Sequence, residues 1–125
     1  MTDTLYSRLG GYDGIVAVAD NLLPRLVGDE DLGRFWAHRG DDGIARERQL
    51  LIDFVAHVTG GPMYYTGRDM KTAHAGMKIS ARDWERFLGH LQAALAAVEV
   101  GPDETSDVLA LIGTTRAEIV EIEAN

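Results

Sequence analysis

A chain of 125 residues has material for one hydrophobic core and no more, so a single domain spanning residues 1–125 is expected, and its hydrophobic fraction of 46% is that of a folded globular unit. Twenty acidic against 12 basic residues, a net charge of −8, leave no cluster of positive charge to displace phosphate counterions, which argues against nucleic acid as a partner. Cysteine is absent, which removes disulfides, thiolate metal sites, iron–sulfur clusters and cysteine nucleophiles; any metal must be held by histidine, carboxylate or a cofactor.

The first residues, Met1 to Tyr6, carry neither a basic region nor a continuous apolar stretch, so no signal peptide is expected and the cytoplasm is the expected compartment. No apolar run approaches the roughly 18 residues of a membrane span. A short segment, Leu5 to Leu9, ends at Gly10-Gly11. Ile15, Val18, Ala19, Leu22 and Leu26 then recur at helical spacing and predict a first long helix from about Asp13 to Val27, with a bend or loosening at Pro24. After the polar break Gly28 to Asp31 come Leu32, Phe35 and Trp36, then a glycine- and charge-rich loop from Ala37 to Gly43. Asp42 is the expected cap of a second long helix, with Ile44, Leu51, Phe54, Val55 and Val58 near one face, ended by Gly60-Gly61-Pro62.

From Met63 to Lys78 the pattern is irregular around a short segment, Arg68 to Ala75, of about two turns. Ser80 and Asp83 approximate a capping box for the cleanest amphipathic helix, with Trp84, Phe87, Leu88, Leu91, Leu95 and Val98 on its apolar face. Gly101-Pro102 opens a last helix through Val108, Leu111, Ile112, Thr115, Ile119 and Ile122. No segment alternates as a strand would, so the fold class is all-α, with four long helices and two short ones. Periodicity alone leaves open a four-helix bundle or a globin, since both bury one stripe of each helix.

Four stretches in this order are familiar: Leu5-Tyr6-Ser7-Arg8-Leu9-Gly10-Gly11, Leu32-Gly33-Arg34-Phe35-Trp36, Gly60-Gly61-Pro62-Met63-Tyr64-Tyr65-Thr66-Gly67-Arg68-Asp69-Met70-Lys71, and Ala73-His74-Ala75-Gly76. Through them nearly the whole chain resembles the group I truncated haemoglobins, a globin-like, two-over-two sandwich of helices around haem. The resemblance implies haem b (iron protoporphyrin IX) as cofactor and His74 as the protein ligand to the iron. It places Met70 one turn before His74 against the ring, and Arg68 and Lys71 within reach of the propionates. The chemistry suits the position, because a neutral imidazole on one face leaves the other open to a diatomic gas.

By the same match Phe35 and Trp36 fall at the loop position that contacts the haem face. Many family members hold bound oxygen with a tyrosine near the end of the first long helix and glutamines on the second; here those positions fall on Leu23, Glu47 and Leu51. Leucine donates no hydrogen bond, and an ionised carboxylate only accepts. Glu47 would donate only if protonated, as a dry pocket favours, or it turns to solvent toward Arg46 or Arg48. The remaining distal pocket, Leu22, Leu23, Trp36, Leu51 and Val55, is then mainly apolar. His38 is expected to be a plain loop histidine, the alternative being that its loop folds over the distal side; His57 is expected to be solvated and His90 a hydrogen-bonded structural residue, and the acidic runs Asp29 to Asp31 and Glu118 to Glu123 are expected to be solvated.

The expected function is reversible binding of diatomic gases (O2, CO, NO) at a His-ligated iron, for oxygen binding and transport or for gas sensing and scavenging, in a monomer or weak dimer. The alternative is a haem enzyme, a nitric oxide dioxygenase or peroxidase. Since the sequence has no glycine fingerprint for flavin or nicotinamide, such an enzyme needs a separate reductase. A third reading is a helical interaction module that has lost haem.

Overall fold

The computed structural model describes residues 4–37, 40–61 and 70–123. The first helix, α1 (Leu5–Arg8), is capped by Thr4, whose hydroxyl accepts the Ser7 N–H at 3.1 Å. Gly10 and Gly11, both at positive φ, turn the chain into α2 (Gly11–Val27). Here α1 and α2 cross so closely that a Cβ on Gly14 would lie 1.8 Å from the Leu9 carbonyl oxygen. Helix α2 buries Ile15, Val18, Ala19, Leu22, Leu23 and Leu26 and runs through Pro24 to Val27. Because Pro24 lies in the last turn, its missing donor interrupts little of the helix.

A 3-10 turn, Leu32–Trp36, leads to α3 (Asp41–Val58). Asp42 does not cap this helix, contrary to the sequence expectation. Extended Gly40 occupies the cap position with no side-chain bond, and Asp41 and Asp42 lie in the first turn, where their charge meets the positive end of the helix dipole. Ile52 and Ala56 of α3 are wholly buried. Thr59 and Gly60, the latter at φ 97°, end the helix. Next come α4 (Met70–His74) and α5 (Ala81–Ala97). The Ser80–Asp83 capping box is present in full, each side chain bonded to the other residue's backbone N–H at 3.0 Å.

The last helix is not continuous but is divided into α6 (Pro102–Gly113) and α7 (Arg116–Ile119). The cause is local. The N–H groups of Thr114 and Thr115 turn to the carbonyls three residues back, Leu111 and Ile112, and their hydroxyls bond the same two oxygens at 2.6 and 2.7 Å. Side chains thus take acceptors that a continuing α-helix would use.

Helix α2 packs against both α3 and α5, and α5 against α6; Ile15, Leu22, Ile52 and Leu95 are the most deeply buried large side chains. Each such side chain contributes about 1.5–3 kcal/mol by leaving water. Arg8 ties α1 to α6 through Glu104 (3.0 Å) and Asp107 (3.2 Å). Among the described residues the sole β-type pairing is an isolated parallel bridge between Ser80 and Ile122, and no helix is long and apolar enough to cross a membrane.

Candidate functional site

His74 closes the five-residue helix α4, half-buried, with Nδ1 2.8 Å from the Met70 carbonyl oxygen. A carbonyl only accepts, so Nδ1 carries the proton and donates; the lone pair of the neutral ring therefore lies on Nε2. The same bond fixes the ring plane, as second hydrogen bonds do for metal-binding histidines. Met70 is half-buried at the start of α4, and Lys71 is exposed beside it. Arg68, His38, Tyr64 and Tyr65 lie outside the described residues.

Phe35 and Trp36 end the 3-10 turn, edge to face at 84° with ring centroids 6.3 Å apart, and pack on the core. Their position is set by charges that face α5. Arg34 places its guanidinium 4.2 Å from the Phe35 ring centroid and grips the Asp83 carboxylate with two bonds, 2.6 and 3.2 Å. Burial pushes the Asp83 carboxyl up, but bonds from Arg34 and Ser80 more than offset it, and the group titrates below its ordinary range.

At the start of the turn Asp29 accepts the N–H groups of Asp31 and Leu32 at 2.8 and 3.0 Å, together with Arg86 and, at 2.6 Å, His90 Nε2. The His90 bond is the largest influence holding the Asp29 carboxyl far below the usual carboxylate range. The expectation that this acidic run is solvated is thus corrected for Asp29, whose side chain is 4% exposed. Its partners lie 57 and 61 residues away, so only the Asx-turn pattern after Gly28 and the i, i+4 spacing of Arg86 and His90 hinted at the link. His90 is a hydrogen-bonded structural residue, as its position in α5 suggested.

Leu22, Leu51 and Val55 are brought together on one apolar cavity of about 30 Å³, closed by Phe87 and Leu91 of α5 and Val108 of α6. That is room for one or two small molecules, and walls without polar groups keep such a space dry. Leu23 is buried one residue further round α2 and, like Trp36, does not line this cavity. Glu47 is half-buried on α3 and His57 exposed near its end, while Arg48 is committed to Asp20 through two bonds of 2.5 and 3.0 Å.

Sequence reasoning also passed over Glu121. Its carboxylate accepts the backbone N–H groups of Gly76 (3.1 Å) and Lys78 (2.8 Å), immediately after His74, and lies below its ordinary pKa for that reason. Glu123 pairs with Arg116 at 2.9 Å. Both carboxylates are exposed, as expected of this acidic run, and each also has a partner in the fold.

Among the described residues no three His, Asp or Glu side chains converge to hold a bare ion. One imidazole with a fixed ring plane and the lone pair on Nε2 suits a metal held mainly by its own cofactor, as haem iron is. The residues present fit the group, and an all-helical fold that carries such an imidazole on a short helix between its long ones is that of the globin class.

Comparison with known proteins reaches the same class independently. The bacterial-like globin family matches residues 4–121. A group 1 truncated haemoglobin of Mycolicibacterium paratuberculosis is 32% identical over 97% of this chain and 87% of its own length. Another, from a Nostoc species, is 31% identical over 94% and 97%. The crystal structure of truncated haemoglobin from Tetrahymena pyriformis in the Fe(III) form shares the fold with a TM-score of 0.87, at 24% identity, over 94% of this chain and 98% of that one. The chain belongs to the bacterial-like globins and, within them, to the group 1 truncated haemoglobins, a family that binds haem and, through it, diatomic gases.

Proposed function

We propose that this chain, as one domain over residues 1–125, binds haem b through His74 Nε2 and reversibly takes up O2, CO or NO on the opposite face. The observation that carries this reading is the 2.8 Å bond from His74 Nδ1 to the Met70 carbonyl, which puts the lone pair of the neutral ring on Nε2. Haem, when bound, would supply the iron that takes up the gas. Met70 would pack beside the ring, Lys71 and Arg68 would pair with the propionates, and Phe35 and Trp36 would contact the haem face from the clasped 3-10 turn.

Leu23, Leu51 and Val55 make the gas side poor in hydrogen-bond donors, with Glu47 at its border. The chain therefore retains oxygen less well than a relative with a tyrosine at the position of Leu23. Absorption spectra of the haem-reconstituted protein, ferric, ferrous and with CO, test the reading. A sharp Soret band that shifts with CO in the wild type and is lost or altered in His74→Ala is expected; identical spectra for the two proteins would overturn it.

A further inference from the structure

We propose that Glu121 is a positioning residue for the His74 imidazole, acting through the backbone of the segment that follows it; this rests on the reading of His74 as the iron ligand. Helix α4 has five residues and none of its side chains is fully buried. So short a helix gains little from its own hydrogen bonds, and its direction is set by what holds its ends.

Beyond His74 the chain makes two left-handed turns, Gly76 at φ 81° and Lys78 at φ 57°. Glycine adopts this conformation freely, whereas lysine does so only where its surroundings hold it. At both residues the backbone N–H is directed to one carboxylate, that of Glu121, and the Met77 N–H between them returns to the His74 carbonyl at 3.2 Å.

The attachment continues along the C-terminal segment. The N–H groups of Glu121 and Ile122 bond the Ile79 carbonyl at 2.9 and 3.2 Å, and the Ala81 N–H bonds the Ile122 carbonyl at 2.8 Å. Residues 76 to 81 are thereby fixed to a segment that begins at α7 and is held in turn by Arg116 on Glu123. Charge-assisted bonds from backbone amides are stronger than neutral ones, so the carboxylate is the firmest point of this attachment. A tilt of α4 that released it would carry the Met70–His74 bond and the ring plane along.

Wild type, Glu121→Ala, Glu121→Gln and His74→Ala are compared in two forms. In the apoprotein, amide hydrogen exchange at Gly76 and Lys78 is expected to rise about tenfold in Glu121→Ala, with Leu91 and Leu95 unchanged. In the ferrous holoprotein, the iron–histidine stretching band is expected to shift or broaden in Glu121→Ala and to return only part of the way in Glu121→Gln, whose single amide oxygen accepts one of the two N–H groups that Oε1 and Oε2 share here. Haem transfer to a competing apoglobin is expected to quicken about tenfold in Glu121→Ala, in step with the weakened attachment. Faster exchange with an unaltered stretching band would reduce Glu121 to a surface contact and overturn the proposal. An iron–histidine band that persists in His74→Ala would overturn the ligand reading itself, and the proposal with it.

Discussion

Asp29 and His90, 61 residues apart in the chain, meet at 2.6 Å and join the start of the 3-10 turn to the middle of α5. The carboxylate is also shared with Arg86 and with the amides of Asp31 and Leu32, all of which favour its ionised form. A carboxyl depressed in the folded state stabilises the fold fully above its unfolded pKa, and that contribution is lost as pH falls toward the folded value. Thermal unfolding between pH 7 and pH 3 is therefore expected to show the wild type losing Tm progressively below about pH 5. Asp29→Asn should start from a lower Tm at neutral pH and decline less steeply. Parallel curves for the two proteins would show that this network does not set acid stability.

Leu23 marks a second consequence. It is 7% exposed on α2, at the position that the resemblance in sequence assigns to an oxygen-holding tyrosine. A hydrogen bond to a charged or strongly polarised acceptor contributes about 1.5–3 kcal/mol. Leu23→Tyr is thus expected to slow oxygen dissociation by roughly 10- to 100-fold and to slow autoxidation, read by stopped-flow mixing with CO. CO dissociation, which draws less on a donor, should change little. An equal slowing of both gases would point to a steric block by the larger side chain.

The long helices were legible because each repeats its apolar residues at helical spacing, and the Ser80–Asp83 box was legible because its two members are neighbours. What stayed hidden depends on groups far apart in sequence or on local competition for acceptors. Arg34 and Asp83 are 49 residues apart and Gly76 and Glu121 are 45, and no spacing rule relates them. The break between α6 and α7 leaves no mark in the sequence pattern, because Thr115 and Ile119 keep the apolar period while the threonine hydroxyls take the carbonyls. At the candidate site, histidine and its neighbours stood out as residue types, but the partner of His74 Nδ1 required coordinates.

The Gly60-Gly61 pair, read first as a helix stop, also has a steric meaning. A Cβ on Gly61 would fall 2.6 Å from the Tyr6 ring and 2.8 Å from the Ala56 carbonyl oxygen, so α1 docks here only against glycine. The Tyr6 N–H bonds the Thr59 carbonyl at 2.9 Å in the same contact. Gly61→Ala is expected to destabilise the protein by about 1–3 kcal/mol in urea unfolding, the usual cost of overpacking. Adding Tyr6→Ala should recover part of that loss, because the ring clash is removed and the carbonyl clash remains. Strict additivity of the two substitutions would show that they do not share this contact.

Leu22 tests the apolar cavity. Its side chain is 2% exposed and forms one wall of a space that already holds about 30 Å³. Truncation there merges a new void with an existing one, where α2 packs on α3 and α5 around Ile15, Ile52 and Leu95, and a close-packed core relaxes only partly into such a space. Leu22→Ala is expected to cost about 4–5 kcal/mol, the upper part of the range for buried leucines, because that cost rises with the cavity left behind. Equilibrium unfolding of the apoprotein measures it. Xenon or a small apolar ligand should restore part of the lost stability in the variant, by binding the folded state alone. A cost near 2 kcal/mol with no response to xenon would show that the surrounding side chains collapse into the space, and that the cavity is not a fixed feature of the fold.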